Sequence, residues 1–296
     1  PYGWPANNLF YQPLLETTLA DGLARYPQVS VRRGREFTRF IQDADGVSVM
    51  HIESRGAQYS KQAPVLGQTP APQEGEEVLR ARYFVACDGG RSAVRAQLGI
   101  NMTGKSFPNP WIVVDIRQKD GEDCLRHLPY FSFICDPECP TVSCRQPYGH
   151  HRFEFMLMPG QTKEHMEKPE TIRAYLSKYV DVSKVEILRC LVYTFNALVA
   201  ERWRDGRVFL AGDAAHMTPQ FVGQGMNAGV RDAYNLAWKL AAVLKGQARD
   251  SLLDSYQSER RPHAKAMIDL SIHMKNFVST SNPLLGTLRN LATRTA

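Results

Sequence analysis

Apolar residues recur every three or four positions in several stretches of the chain, and this spacing predicts helices. Leu15, Leu19 and Leu23, for example, would share one face of the first helix. We expect the last helix to break at Pro262, because a proline inside a helix lacks the backbone donor. The predicted helices cover residues 12–26, 92–98, 171–179, 225–244 and 251–274.

Runs of β-branched and aromatic residues predict strands between these helices. Asp45-Gly46 lies between two such runs and indicates a hairpin. From residue 106 to about 199 the runs are frequent and one helix interrupts them, which is typical of an antiparallel sheet covered by a helix. Outside that region the predicted strands are 29–33, 37–41, 47–52, 78–86 and 207–210.

The alternation of these elements predicts an α/β protein built from three segments. Residues 1–105 would form part of one domain, with a loop insertion near 54–77 where Gln, Pro, Ala and Gly are frequent. Residues 106–200 would form an inserted β-sheet domain, and residues 201–296 would complete the first domain and add C-terminal helices.

Composition and charge exclude several classes of protein. Hydrophobic residues make up 43% of the 296 positions and charged residues 22%, as in ordinary globular domains. The formal charge of +6 comes from scattered basic residues, so we expect attraction for small anions and no nucleic-acid partner. No apolar run approaches the roughly 20 residues of a membrane span, and no signal-peptide pattern is visible. We therefore expect a cytoplasmic protein without a membrane partner.

Three of the six cysteines, Cys135, Cys139 and Cys144, precede His150 and His151 and raise the question of a metal site. Their spacings contain no paired Cys-x-x-Cys, and prolines interrupt the run. Structural zinc and reduced thiols both fit this pattern. We favour reduced thiols and predict no metal site.

An acidic residue and a glycine pair follow the predicted strand 78–86. Asp88 precedes Gly89, and a helix, not a partner strand, comes next. In open α/β sheets ligands bind beyond the carboxyl ends of strands, where glycines let backbone N–H groups approach a phosphate. Arg91 and Arg95 flank the start of the same helix and would suit an anionic group. A ligand site and a structural turn both fit these residues.

The predicted strand 207–210 is also followed by an acidic residue, and then by two glycines and a long helix. A helix N-terminus carries about half a positive charge and several unpaired N–H donors, and glycines allow a planar ligand close to the backbone. Such a site would stabilise negative charge on a heterocycle. His216 suggests an acid–base role, although a single histidine in a strand–turn segment is more typical of a structural residue. The residues of this set are Asp213, Pro219, Gly223, Gln224, Gly225, Met226 and Asn227.

The segment 223–228 formally matches the dinucleotide fingerprint G-x-G-x-x-[GA]. The preceding strand ends near Leu210, too far back for the tight turn that this motif needs, and the acidic residue expected about 20 positions later is missing. We therefore reject that assignment for this segment.

Two motifs resemble those of the single-component FAD-dependent aromatic hydroxylases, the p-hydroxybenzoate hydroxylase-like flavoproteins. Residues 87–95 resemble the family's DG motif, and residues 206–216, continued by 223–227, resemble its GD motif. They occur in the family's order with a β-rich segment between them. Further stretches are similar to the 3-(3-hydroxyphenyl)propionate hydroxylases of that family, namely 7–13, 110–115, 135–137 and 152–157.

The resemblance implies a Rossmann-like FAD-binding domain with an inserted β-sheet substrate domain. It also implies FAD as cofactor, NADH or NADPH as co-substrate, and O2, which together would hydroxylate a small phenolic acid through a flavin C4a-hydroperoxide. Carried over by motif, Gln12 and Asp213 would contact the ribityl and ribose region. Asp88 with Gly89 would lie near the pyrophosphate, and residues 223–227, with Pro219 before them, would meet the flavin ring. No catalytic acid or base is named, because the cofactor performs the hard chemistry.

The chain departs from the family pattern at three places. The N-terminal βαβ unit with G-x-G-x-x-G is missing, so we expect the chain to begin after it, and the family's C-terminal extension is missing as well. Gln220 stands where the family has a second proline after Pro219. These departures keep two alternatives open: a non-catalytic remnant that binds no FAD, and a flavoprotein dehydrogenase of the same fold.

The substrate, the choice between NADH and NADPH, and self-association into a homo-oligomer are left open by the sequence. Basic and aromatic residues in the predicted sheet would suit a phenyl carboxylate, although core packing explains the aromatic residues equally well. The residues that we consider for such contacts are Arg145, Tyr148, Arg152 and Tyr193.

Overall fold

A computed structural model describes residues 8–54, 56 and 65–294 of the chain. The helices in these residues are α1 (Gln12–Leu23), α2 (Ala93–Gln97), α3 (Lys163–Met166), α4 (Pro169–Leu176), α5 (Gly225–Leu244), α6 (Ser255–Val278) and α7 (Pro283–Arg294). The strands are β1 (Arg35–Gln42), β2 (Val47–Glu53), β3 (Glu77–Ala81), β4 (Phe84–Ala86), β5 (Met102–Ser106), β6 (Trp111–Gln118), β7 (Phe131–Ile134), β8 (Thr141–Gln146), β9 (His150–Met156), β10 (Val185–Tyr193), β11 (Asn196–Ala200), β12 (Arg204–Asp205), β13 (Val208–Leu210) and β14 (His216–Met217). Short 3₁₀ segments cover Gly212–Ala214, Gln220–Val222 and Asp250–Asp254.

The chain divides into two compact units. The first contains the described residues of Pro1–Ser30, Phe107–Thr194 and Lys275–Ala296, and the second those of Val31–Ser106 and Phe195–Met274. The limits predicted at residues 105 and 200 refer to functional domains, and they stay a prediction.

An antiparallel sheet forms the core of the first unit, with strands in the order β10-β6-β9-β8-β7. Successive side chains of a strand point to opposite faces, so Ile112, Val114 and Ile116 of β6 lie on one face. They belong to the same buried cluster as Ile172 and Leu176 of α4. Each fully buried aliphatic side chain contributes about 1.5–3 kcal/mol, and this layer holds the helix on the sheet, as the sequence predicted.

The second unit contains three three-stranded sheets in its described part, in the orders β1-β2-β3, β14-β11-β5 and β12-β13-β4. The predicted hairpin is confirmed, because β1 and β2 pair antiparallel. Strands β4 and β13 run parallel, with Phe84 opposite Val208 and Ala86 opposite Leu210. Both of these strands therefore end at the same edge of their sheet.

Three predictions of local structure were wrong. Residues 29–33 form no strand and are exposed. The predicted strand 78–86 divides into β3 and β4, because the chain changes its partner from β2 to β13. Pro262 lies inside α6 and does not end it. Since Pro262 is exposed, water can reach the carbonyl group that loses its helical donor, and the helix continues.

Helix α1 ends at Leu23, earlier than predicted, and none of its residues is buried. Its leucines therefore do not form the packed face that their spacing indicated. Of the predicted insertion 54–77, residues 54, 56 and 65–76 contain no helix or strand, and Glu77 begins β3. Residues 55 and 57–64 lie outside the described residues. Among the described helices, none combines the length and the apolar character that a membrane crossing requires.

Candidate functional site

A pocket of about 730 Å³ lies in the second unit, at the carboxyl ends of the parallel strands β4 and β13. Such strand ends are the usual ligand position in open α/β sheets. One wall comes from the two segments that follow these strands, and the other comes from helix α5. The lining residues are Val85, Cys87, Gly89, Ala211, Gly212, Asp213, Gly225, Met226, Gly229, Val230, Ala233, Leu236, Ala237 and Leu240.

The segment after β4 turns sharply into α2. Gly89 has a φ of 79°, which favours glycine, and it lines the pocket. Asp88 is exposed, and its carboxylate accepts a hydrogen bond of 3.2 Å from the Val94 N–H in the first turn of α2. Ser92 caps the same helix by accepting from the Arg95 N–H at 2.9 Å. Asp88 thus has a structural contact, and its predicted role toward a ligand stays a prediction.

Arg95 connects the two strand-end segments. Its guanidinium donates to the carbonyl oxygen of Gly90 at 2.7 Å and to that of Ala214 at 2.9 Å. Burial lowers the pKa of Arg95, and Asp88 partly offsets that effect. The donors that we expected to face an anion are therefore engaged with backbone carbonyls. Arg91, in contrast, is exposed.

The segment after β13 is fixed by a buried charged group. Asp232 of α5 has no exposed surface, and its Oδ2 accepts from the Gly212 N–H at 3.1 Å and from His216 Nε2 at 2.7 Å. Its Oδ1 accepts from Arg260 Nε at 2.9 Å. Although burial acts to raise it, the hydrogen bonds from His216 and Arg260 hold the pKa of Asp232 below its ordinary value.

His216 lies in this network and not in the pocket wall. The ring is buried and stacks on Trp203, with 5.1 Å between ring centroids. Together with its bond to Asp232, this contact gives His216 the structural surroundings that we favoured from the sequence. Asp213, three residues earlier, does line the pocket. Partial burial raises the pKa of Asp213, and His216 opposes this effect.

The N-terminus of α5 is open toward the pocket. Within the described residues no side chain caps this end, and its first turn carries no acidic residue. Gly223 has a φ of 60° and ends the preceding 3₁₀ segment. A Cβ added to Gly225 would have no atom within 4 Å, so the space in front of this residue is free for a ligand. Met226 is next in the wall and is 49% exposed.

The predicted site residues are thus only partly brought together. Four of them, Gly89, Asp213, Gly225 and Met226, line one pocket. The others of the second unit flank it; these are Asp88, Pro219, Gly223, Gln224 and Asn227. Gln12 belongs to the first unit, where its side-chain amide donates to Glu16 Oε1 at 2.7 Å. The cofactor contacts assigned to all ten residues stay predictions.

Sequence reasoning missed the wall that α5 contributes beyond its first turn, including Gly229, Ala233 and Ala237. The buried residues of α5 are different ones: Ala228, Asp232, Leu236, Lys239 and Val243. Two of these, Asp232 and Lys239, are charged residues with ion-pair partners. The positions of polar residues along the helix therefore did not reveal which side is exposed. The small side chains of Gly229, Ala233 and Ala237 were the sequence signal that could have indicated a pocket along this helix.

The residues considered for a carboxylate substrate have other partners. Arg152 donates to both carboxylate oxygens of Asp115, at 2.7 and 3.1 Å. Arg145 donates to backbone carbonyls, among them that of Leu128 at 2.6 Å. Tyr148 is strongly exposed, with a φ of 61°. These arginines are therefore not free to bind a carboxylate, and we withdraw that suggestion for them.

The cysteines of the described residues are free thiols. Burial raises the pKa of the Cys144 thiol to about 11, and it also raises the pKa values of Cys135 and Cys139. His151 accepts or donates a hydrogen bond of 2.8 Å with Ser143. Across residues 8–54, 56 and 65–294 no group of three His, Cys, Asp or Glu side chains has the arrangement of a metal site.

Comparison with known proteins agrees with the motifs. A family model described as an FAD binding domain matches residues 2–271. The chain is 45% identical over 290 residues to the 3-(3-hydroxy-phenyl)propionate/3-hydroxycinnamic acid hydroxylase of Escherichia coli O81 (strain ED1a). That match covers 98% of this chain and 48% of the relative, so the chain spans about half the length of the curated relatives it matches.

Solved structures show the same fold. The p-nitrophenol 4-monooxygenase from Pseudomonas putida DLL-E4 superposes with a TM-score of 0.79 at 22% identity, over 96% of this chain and 67% of that one. Aklavinone-11 hydroxylase, solved as a ternary complex with FAD and aklavinone, gives a TM-score of 0.77 at 29% identity, over 92% and 49%. The predicted resemblance and fold class are confirmed by these matches.

Proposed function

Because this chain belongs to the family of FAD-binding domains, we propose that it forms the flavin-binding part of an aromatic hydroxylase and holds FAD in the pocket between β4, β13 and α5. The observation that carries this proposal is the glycine-lined junction of two parallel strand ends with an uncapped helix N-terminus. Gly89, Gly212 and Gly225 leave the backbone accessible to a planar ring.

The residues present fit such a group. The N–H donors of the first turn of α5 face the pocket region, and a helix N-terminus stabilises negative charge on a ligand. The apolar side chains of Val85, Val230 and Leu240 would contact the faces of a flat heterocycle. Asp213 would accept hydrogen bonds from ribityl hydroxyls, for which an ionised carboxylate is suited. Gln12 and Asp88 complete the set that we assign to the cofactor.

The proposed reaction is the hydroxylation of a small phenolic acid similar to 3-(3-hydroxyphenyl)propionate. When bound, FAD would accept a hydride from NADH or NADPH and, with O2, supply the oxygen atom that enters the ring. The chain's own residues bind and orient the cofactor and exclude water from its apolar wall. We further propose that the protein acts in the cytoplasm, in the breakdown of aromatic compounds, since NADH and NADPH are available there.

Titration of the purified protein with FAD tests the first step. We expect micromolar binding, followed as quenching of flavin fluorescence, and weaker binding to Asp213→Asn than to Asp269→Asn, an exposed control. 3-(3-Hydroxyphenyl)propionate should then stimulate NADH or NADPH oxidation, with oxygen-18 from O2 in the product. A folded protein that stays colourless would support the non-catalytic alternative, and oxidation without oxygen-18 in the product would support the dehydrogenase.

A further inference from the structure

The second unit carries another cleft, of about 850 Å³, that shares no lining residue with the flavin pocket. Gly206 lines the cleft before β13, and Ala211 lines the flavin pocket after it, so the two sites lie at opposite ends of this strand. The cleft is lined by Arg202, Arg204, Asp205, Gly206, Asp250, Asp254, Gln257, Ser258, Arg261, Pro262 and Lys265.

Each of the three carboxylates that line this cleft pairs with an arginine, and the whole lining holds four cations against these three carboxylates. Arg204 pairs with both Asp250 and Asp254, the latter at 2.7 Å. Arg202 pairs with Asp205, also at 2.7 Å. These pairs leave no lining carboxylate for the remaining cations.

Arg261 lines the cleft but takes part in none of these ion pairs. Within the described part of the chain it has no hydrogen bond or ion pair, and its Nε is buried without a partner. A buried donor without an acceptor costs free energy, so native proteins rarely leave one unsatisfied. Lys265 also lines the cleft and pairs with Asp269 at 2.7 Å, where both side chains are exposed and the pair contributes little. An anion in the cleft would pair with the terminal guanidinium nitrogens of Arg261, for which the described residues offer no partner, and with Lys265 as a second cation.

The arrangement on α6 suits a phosphate group. Arg261 and Lys265 are four positions apart, so they share one face of the helix. A guanidinium presents a planar fork of donors that matches two phosphate oxygens, while a lysine acts as a point charge. The volume of the cleft lies within the range of small-molecule sites.

We propose that this cleft binds the phosphate group of a small phosphorylated metabolite, with two guanidinium nitrogens of Arg261 and the ammonium group of Lys265 as its donors. The site is separate from the flavin pocket, so its ligand is a second ligand of the protein. This inference does not rest on the proposed hydroxylase reaction.

Calorimetric titration of the purified protein at low salt tests the proposal, with inorganic phosphate, AMP and adenosine as probes. We expect AMP to bind more tightly than phosphate, and adenosine not to bind. Arg261→Gln should weaken AMP binding at least tenfold, Arg261→Lys should restore only part of it, and Arg117→Gln, which removes an exposed arginine of the first unit, should leave it unchanged. FAD affinity should be the same in all variants.

Two results would overturn the proposal: the absence of binding by phosphate and AMP at millimolar concentration, or equal binding by the wild type and Arg261→Gln. Equal binding of AMP and adenosine would also exclude a phosphate site. If Arg261→Gln does not fold, Lys265→Gln serves in its place, and we expect a several-fold loss of AMP affinity with unchanged circular dichroism.

Discussion

Gly212 and Gly229 pack backbone against backbone: a Cβ added to Gly229 would lie 3.6 Å from the Cα of Gly212. This contact brings the segment after β13 onto helix α5, and both glycines line the pocket that we propose for FAD. A single methyl group fits at an ordinary contact distance, and anything larger must enter the pocket or displace the backbone of Gly212.

We therefore expect opposite effects from two substitutions of Gly229. Gly229→Ala should stabilise the protein by about 0.5–1 kcal/mol, because alanine has the higher helix propensity. Gly229→Leu should destabilise it by about 1–3 kcal/mol through overpacking. Urea unfolding measures both, with Ala241→Leu as a control at an exposed position of the same helix. Equal stability of the Ala and Leu variants would contradict the close contact.

Asp232→Asn should be strongly destabilising. The asparagine amide has no charge to compensate the buried guanidinium of Arg260. Its NH₂ group would also face donors, since Gly212, His216 and Arg260 all donate to the present carboxylate. Removing one partner from a buried ion pair typically costs about 3–5 kcal/mol, and we expect a loss near the lower end because one amide oxygen remains. Urea unfolding would detect it. Glu186→Gln, which breaks a half-exposed pair with Arg117, should change stability by less than about 1 kcal/mol.

Gly225→Val should impair FAD binding without unfolding the protein. The added side chain meets no protein atom near its Cβ, so the fold should lose less than about 1 kcal/mol. It would occupy the space in front of the helix N-terminus. We expect the dissociation constant for FAD to rise at least tenfold, which corresponds to a loss of about 1.4 kcal/mol of binding free energy. Fluorescence titration measures the affinity. Ala241→Val, on the same helix outside the pocket, is the matched control, and wild-type affinity of Gly225→Val would refute the placement of the ring.

The contribution of Glu154 to the stability of the protein should fall as the pH rises from about 4.5 to 7. Burial raises the pKa of Glu154 to about 7 from its ordinary 4.5, with Arg152 opposing and Asp115 adding to the effect. The folded state therefore keeps its proton while the unfolded state loses it, so unfolding is favoured by about 3 kcal/mol once the pH exceeds both values.

Glu154→Gln removes this ionisation, so the unfolding free energy of the variant should rise relative to that of the wild type as the pH increases from 5 to 8. Above pH 7 it should be more stable than the wild type. Urea unfolding at four pH values compares them. Parallel curves for the two proteins would show that Glu154 is ionised in the folded state at neutral pH.

Helix α5 illustrates what sequence reasoning can reach. Its bounds, 225–244, were predicted as observed, because glycines precede it and Lys245-Gly246 follows it. Its apolar residues do not all lie on its buried side. Val230 is 59% exposed, whereas Lys239 is fully buried and donates to Ser255 and Glu259 at 2.7 Å. Periodicity identifies a helix, but it does not reveal which polar residues find buried partners far along the chain.

The candidate site shows the same division. The motifs around Asp88 and Asp213 identified both strand ends, because an acid and glycines after an apolar run are local patterns. That β4 and β13 are parallel neighbours depends on pairing across more than 120 residues, which no local pattern encodes. For this reason the partners of Arg95 and Arg152 could not be predicted. We considered both arginines for contacts with a ligand, whereas in the structure both donate to protein groups.

Arg95 also has a mechanical consequence. One guanidinium donates to the carbonyl oxygens of Gly90 and Ala214, which belong to the segments after β4 and β13. An outward movement of either segment alone would break a charge-assisted hydrogen bond. A ligand that orders one segment would therefore restrain the other as well.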